Sequence, residues 1–227
     1  DYVFAPKVDL WDTLIEQMLV QKRALNEVVE TREHALACAK TVADRYRCNY
    51  EHANFLMETA CMIFDKIKTL HGLNPSYKLL LEIAAILHDC GYFINSKHHL
   101  NSNVDIVKYT DIYGLTDKTT LITAYISRFA ESETPNYRDA EFASLKGSEK
   151  IIALKLSAIF RLANSLDKSQ KQKLQSVKVR LDEDKFIITA KSDSNTRLEH
   201  WAFEKCSAFF QEVFGVQPVL TVKSSLI

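Results

Sequence analysis

The run Leu79-Leu80-Leu81-Glu82-Ile83-Ala84-Ala85-Ile86-Leu87 is apolar at every position but one, and it ends in His88-Asp89, with Gly91 two residues on. A helix that apolar faces a core. A histidine and a carboxylate side by side at its end are costly to bury unless something satisfies them. Both are good ligands for a divalent metal. The pair therefore poses two alternatives: a metal site, or what remains of one.

The chain has 227 residues, of which 47% are hydrophobic, enough for one large domain or two small ones with a sizeable core. Lys plus Arg and Asp plus Glu both number 29, a balance that argues against a dedicated nucleic-acid binder. No apolar run reaches the roughly 18 residues of a membrane span. The chain starts at Asp1 rather than Met, which leaves upstream trimming open. Five cysteines (Cys38, Cys48, Cys61, Cys90, Cys206) form no CxxC pair, and read as buried free thiols of a reducing, cytoplasmic compartment. Only five glycines are present, and they do not cluster. Glycine-rich phosphate-cradling loops are therefore excluded, and any phosphate chemistry has to use side chains and metal.

The fold class expected is mainly α, with a small C-terminal β-β-α-β subdomain. Helical periodicity runs over 11–21, 32–46, from Asn49 to about 67, 104–111, 116–128 and 148–166, and Asn49 suits an N-cap. Loops are expected over 1–12 and around Pro135. Near Lys173 the character changes. Val177, Val179 and Leu181 alternate with Lys178 and Arg180, Asp182-Glu183-Asp184 turns, and 186–190 returns as a second strand. An amphipathic helix over 196–214 ends at Gly215, and 216–222 is a third strand. The division expected is an extension or linker helix over 1–30, a helical domain over 31–172 and a small α/β subdomain over 173–227. Trp201, Phe203, Phe209, Phe210 and Phe214 are expected to pack against the small sheet.

His52 on a helix, His88-Asp89 further on, and the later helix Arg161-Leu162-Ala163-Asn164 follow one another in an order and spacing that resemble the HD-domain phosphohydrolase superfamily. Ile86-Leu87-His88-Asp89-Cys90-Gly91-Tyr92-Phe93-Ile94 with Lys97-His98-His99, Arg161 to Ser169, and Trp201-Ala202-Phe203-Glu204-Lys205 narrow this. They are similar to the C-terminal region of the exopolyphosphatase / guanosine pentaphosphate phosphatase family, over about residues 30 to 227. The resemblance implies an HD-like helical body and a homodimer. It also implies that hydrolysis of the terminal phosphoanhydride belongs to an N-terminal actin-like domain. Phe4-Ala5-Pro6-Lys7-Val8-Asp9-Leu10 resembles the join after that domain, so the chain is expected to be a C-terminal fragment or a protein that keeps only that half.

The metal candidates are His52, His88 and Asp89, which can meet one ion only near a helix end, where Gly91 is expected to let the chain turn. The alternative is a metal-free polar cluster in which His52 and His88 hydrogen-bond to Asp89. By resemblance the fourth ligand is an Asp, and this chain has Asn164, a neutral and weaker ligand for a hard cation. Asp167 is a candidate substitute. The resemblance also places further histidines where this chain has Asn101 and the segment Ser127-Arg128-Phe129-Ala130. Lys97, His98 and His99, and separately Arg161, Lys168 and Lys171 with Lys173, are candidate phosphate contacts or else solvated and helix-end cations. Tyr92 and Phe93 are expected to cover the site. Three functions follow. The first is a phosphate-polymer-binding, dimerising or regulatory domain without chemistry of its own, its ligand polyphosphate or a guanosine polyphosphate. The second is an active metal-dependent HD phosphohydrolase of a nucleotide or phosphate ester. The third is an interaction module.

Overall fold

The computed structural model describes residues 10–131 and 139–224. The expected join before Leu10 and the loop around Pro135 lie outside the described residues. Helix α1 runs Leu10–Arg45 without a break, where periodicity alone suggested two helices. Neither Gly nor Pro occurs between these ends, so nothing in the chain stops it. There follow α2 (Tyr50–Lys66), α3 (Lys68–His71), a 3-10 turn (Pro75–Tyr77), α4 (Lys78–Leu87), α5 (Cys90–Ile94), α6 (His99–Tyr109), α7 (Asp117–Arg128), α8 (Ala140–Ser144) and α9 (Gly147–Ser165). The chain then makes β1 (Gln175–Asp182), β2 (Lys185–Lys191), α10 (Arg197–Phe214) and β3 (Gln217–Lys223). The fold is mainly α, with the β-β-α-β module at its end.

The apolar run is α4, and every residue from Leu80 to Leu87 is buried, Glu82 included. It lies among α1, α2 and α7. Ala35, Ala39 and Ala43, four apart on α1, are fully buried and let that helix come close. Arg32 closes the same seam with two hydrogen bonds to the Glu82 carboxylate, at 2.9 and 2.5 Å. That pairing is what permits a carboxylate in this helix, because a buried charge without a partner is costly.

In the C-terminal module β1 pairs antiparallel with β2, and β2 pairs parallel with β3, so α10 is the crossover between parallel neighbours. Phe186, Ile188 and Ala190 point into the same hydrophobic core as Phe210 and Phe214, and this core continues into Leu56 of α2 and Phe160 of α9. Trp201 corrects the expectation that all five aromatic residues of this helix pack in the core, while Phe209 packs at its edge. Trp201 is exposed, with the Lys205 ammonium 3.8 Å from its ring centroid, and half-buried Phe209 stacks under the Arg161 guanidinium at 4.4 Å. Both face the cleft between α9 and α10.

Gly91 has a different reason for being glycine than the expected freedom to turn. Its backbone is not in the left-handed region. A Cβ there would lie 2.0 Å from the His99 carbonyl oxygen and 2.8 Å from the Asn103 amide nitrogen, both backbone atoms. Glycine is thus what lets α5 touch the start of α6, and Asn103 Oδ1 accepts the Gly91 N–H at 3.3 Å. Gly91→Ala is expected to cost at least about 2 kcal/mol by overpacking. Gly147→Ala, which meets nothing within 4 Å, should be neutral. Chemical denaturation of the two variants separates these outcomes.

Buried His71 accepts the Leu73 N–H on Nδ1 (2.8 Å) and donates from Nε2 to the Phe64 carbonyl (2.9 Å), so its ring is neutral in the fold. Burial holds its pKa below the ordinary 6.5. The unfolded chain takes up that proton near pH ~6.5 and the folded chain does not, so His71 favours folding fully above that pH and progressively less below it. The melting temperature is expected to fall as the pH drops from about 6.5 towards 5. The fall should be shallower in His71→Gln.

Candidate metal centre

The Asn49 carboxamide oxygen accepts the N–H groups of Glu51 (3.1 Å) and His52 (3.3 Å), which fixes the first turn of α2 and places His52 on it. His88 and Asp89 occupy the joint between α4 and α5. His88 keeps helical backbone angles, while Asp89, at φ −97° and ψ 0°, leaves the helix. On a continuous helix the two side chains would diverge by about 100°; the joint turns them towards one point. Ligand atoms of His52, His88 and Asp89 lie within 4.8 Å of one another. The expected metal-free arrangement, with both histidines bonded to Asp89, is not what forms. His52 bonds to Asp167 instead, and His88 Nε2 stands 3.7 Å from Asp89 Oδ1, beyond hydrogen-bond range.

Asp167, weighed above as a substitute ligand, lies behind the cluster. Its Oδ2 meets His52 Nδ1 at 2.9 Å and accepts from Gln172 Nε2 at 2.7 Å; its Oδ1 accepts the N–H groups of Lys171 and Gln172 at 3.0 and 2.8 Å. With Nδ1 engaged, the lone pair of His52 falls to Nε2, which is buried and has no hydrogen-bond partner. Asp89 is held in the same way: Gln170 Nε2 donates to its Oδ2 at 2.7 Å, and its Oδ1 is buried without a partner. His88 Nδ1 is likewise buried and unpartnered. Gln170 (φ 53°) and Gln172 (φ 43°) adopt left-handed backbone, at a cost of about 1 kcal/mol each. The turn after α9 accepts this strain to bring two amides and two carboxamides onto Asp167 and Asp89.

Burial drives the His88 pKa down to about 4, against the opposing pull of Asp89. Its ring is therefore neutral at neutral pH and able to donate a lone pair. The residues fit a divalent ion: two imidazoles and a carboxylate converge, the buried Nε2 of His52 and Oδ1 of Asp89 await a partner, and outer-shell groups fix the orientation of His52 and Asp89. Among the described residues no further His, Cys, Asp or Glu joins the cluster. Asn164 is buried on α9 and lines the cleft under α10; no hydrogen bond ties its side chain to His52, His88 or Asp89.

The candidate phosphate contacts separate into four environments. Lys97 and His98 are exposed in the loop before α6, their N–H groups held by Asn95 Oδ1 at 3.0 and 3.2 Å. His99 is stacked on Tyr92, with ring centroids 3.8 Å apart, and its Nε2 lies 3.9 Å from Glu131 Oε1. Lys168 donates to the same Glu131 carboxylate at 2.6 Å. Burial pushes the Glu131 carboxyl up, but Lys168, then His99 and His88, outweigh it and hold it below the usual range. Arg161 is buried and donates to the Phe129 carbonyl at 2.7 Å. Lys171 is exposed, and its backbone N–H serves Asp167. Arg161 and Lys168 thus already have protein partners. Tyr92 and Phe93, both exposed, line a cleft of about 400 Å³ with Asp89, Cys48, Asn49 and Gln170, and so form its wall.

Glu131, Gln170 and Gln172 were not singled out in the sequence. The only signal is a polar run directly after an apolar helix, Asp167 to Gln172, which reads equally as a solvated helix end.

A search of curated proteins finds no match to the chain. The family description "Ppx/GppA phosphatase, domain III" matches residues 36–205, which span the end of α1, α2 to α9, the hairpin and the first half of α10. The match takes in His52, His88, Asp89 and the Asp167 turn together. Among the described residues no helix is long and apolar enough to cross a membrane. With three quarters of its length matched, the chain belongs to the Ppx/GppA phosphatase family and carries that family's domain III.

Proposed function

We propose that this chain is a phosphate-recognition and regulatory domain of a Ppx/GppA-type phosphatase and holds a divalent ion at His52, His88 and Asp89. Hydrolysis of the terminal phosphoanhydride of polyphosphate or a guanosine polyphosphate then belongs to a separate N-terminal actin-like domain. The observation that carries this reading is the pair of buried, unpartnered ligand atoms, His52 Nε2 and Asp89 Oδ1, whose other polar atoms are occupied by Asp167 and Gln170. Buried polar atoms without partners are costly, and one divalent ion would satisfy both of these at once.

When bound, the ion supplies a Lewis-acid contact for a phosphoryl oxygen. The chain's own residues do the rest. Asp167 keeps the His52 proton on Nδ1. His88 stays neutral because it is buried. Asp89 supplies the one negative charge of the cluster. In the loop before α6, exposed Lys97 offers positive charge and His98 a ring N–H donor, and each phosphate of a polyanion that is neutralised releases counterions. Recognition is favoured over hydrolysis because a neutral amide, Asn164, stands at the position where the superfamily resemblance calls for a carboxylate. The homodimer that the resemblance implies is part of the same proposal.

The second reading, an active metal-dependent HD phosphohydrolase, draws on the same support of His52 and Asp89. Phosphate release decides between them. With Mn²⁺ present, this chain is expected to release no phosphate from polyphosphate or guanosine pentaphosphate. Release that disappears in His88→Ala would establish the second reading.

Titration calorimetry with Mn²⁺ is expected to show one site per chain, absent in His88→Ala. Asp167→Asn should weaken it about 10- to 100-fold, because the orienting acceptor of His52 is lost while the shape is kept. Equal affinity in Asp167→Asn and the unsubstituted chain would count against the assigned outer shell. Polyphosphate binding, followed by fluorescence anisotropy, should weaken with added salt, and more gently in Lys97→Ala/His98→Ala.

A further inference from the structure

Two of the five cysteines are in contact. Cys48 Sγ and Cys90 Sγ lie 2.7 Å apart although 42 residues separate them in sequence. A disulfide bond needs about 2.05 Å between sulfurs. Cys48 sits in the turn between α1 and α2, directly before the capping Asn49; Cys90 opens α5, directly after Asp89. Cys48 is half-exposed and lines the 400 Å³ cleft, whereas Cys90 is buried behind it.

We infer that Cys48 and Cys90 are a redox-active pair that closes to a disulfide by exchange with a small-molecule disulfide entering this cleft. Cys48 is the sulfur that the cleft makes accessible, and it attacks one sulfur of the incoming disulfide. A mixed disulfide forms and one small thiol leaves with the electron pair and a proton. Cys90, already against Cys48, then gives its proton to solvent and attacks the Cys48 sulfur, releasing the second small thiol. Two protein thiols are oxidised and one small disulfide is reduced to two thiols. In proteins of reducing compartments, disulfides of this kind are transient and sensing rather than structural.

The position gives the pair a target. Asn49 Nδ2 donates to Gln170 Oε1 at 3.5 Å, and Gln170 donates to Asp89 at 2.7 Å, so one polar tie already runs from the start of α2 to the α4–α5 joint. The disulfide would run parallel to that tie, one residue away at each end, and would fix covalently the spacing between the turn that caps His52 and the joint that carries Asp89. Neither sulfur belongs to the His52-His88-Asp89 cluster, so the bond does not depend on a cation being held there.

The test is treatment of the native chain with oxidised glutathione, followed by thiol counting and a non-reduced peptide map. The titratable thiols are expected to fall from five to three. A Cys48–Cys90 cross-linked peptide should appear, lighter by two hydrogens and reversed by dithiothreitol. Cys90→Ser should instead retain glutathione on Cys48. Should that variant fail to fold, the unsubstituted map decides. All five thiols surviving, glutathione persisting on Cys48 in the unsubstituted chain, or a cross-link to Cys38, Cys61 or Cys206 would each overturn the assignment. Thiol counts and Mn²⁺ calorimetry fail independently, so loss of one reading leaves the other intact.

Discussion

A carboxylate with almost no surface exposed is costly to bury unless its oxygens find donors, and Asp167 finds four: the His52 ring, the Gln172 carboxamide and two backbone N–H groups. This knot joins the end of α9 to the first turn of α2. It sets which nitrogen of His52 faces the cluster, and it holds Gln170 and Gln172 in backbone conformations that glutamine seldom takes. Gln170 in turn grips Asp89. Removing the Asp167 side chain would therefore free the His52 ring and leave the Lys171 and Gln172 N–H groups without their acceptor. The orientation of His52 thus descends from one buried side chain.

The second support is the α4–α5 joint. Residues of α4 are buried on every side, so its end cannot shift without moving the core. Beyond the joint, Gly91 brings α5 against the first turn of α6 with no room for a methyl group. His88 and Asp89 are thus fixed from both directions, by an immobile helix before them and a tight backbone contact after. Burial also settles the charge of His88 in favour of the neutral form, which is the form a metal ligand needs.

Much of this was legible in the sequence where the signal is local. Asn49 as a cap, the apolar helix ending in His88-Asp89, the hairpin around Glu183 and the stop at Gly215 are short-range features, and the fold realises them. The role of Asp167 was not legible, because its partner His52 is 115 residues away and only the tertiary fold brings them together. Read by spacing alone, Asp167 resembles a displaced ligand; in the fold it stands one shell further out. Gly91 was misread for a related reason: the sequence shows a glycine after a helix, but not the backbone of α6 lying against it. Trp201 shares a helix with buried aromatics and so looks like core, yet it is exposed with Lys205 over its ring, while Phe209 packs at the edge of the core beneath Arg161. Asn164 points to a defunct site, yet His52 and Asp89 are each still held from behind, by Asp167 and Gln170.

Asp167 and Gln170 keep His52 and Asp89, and the buried α4–α5 joint keeps His88, ready for a cation. Anomalous diffraction from crystals of this chain grown with Mn²⁺ tests it most directly. The account predicts one strong anomalous peak at bonding distance from His52 Nε2, His88 and Asp89 Oδ1, with Asp167 still on His52 Nδ1. A site without a peak at saturating Mn²⁺, or His52 turned away so that Asp89 takes its proton, would contradict it.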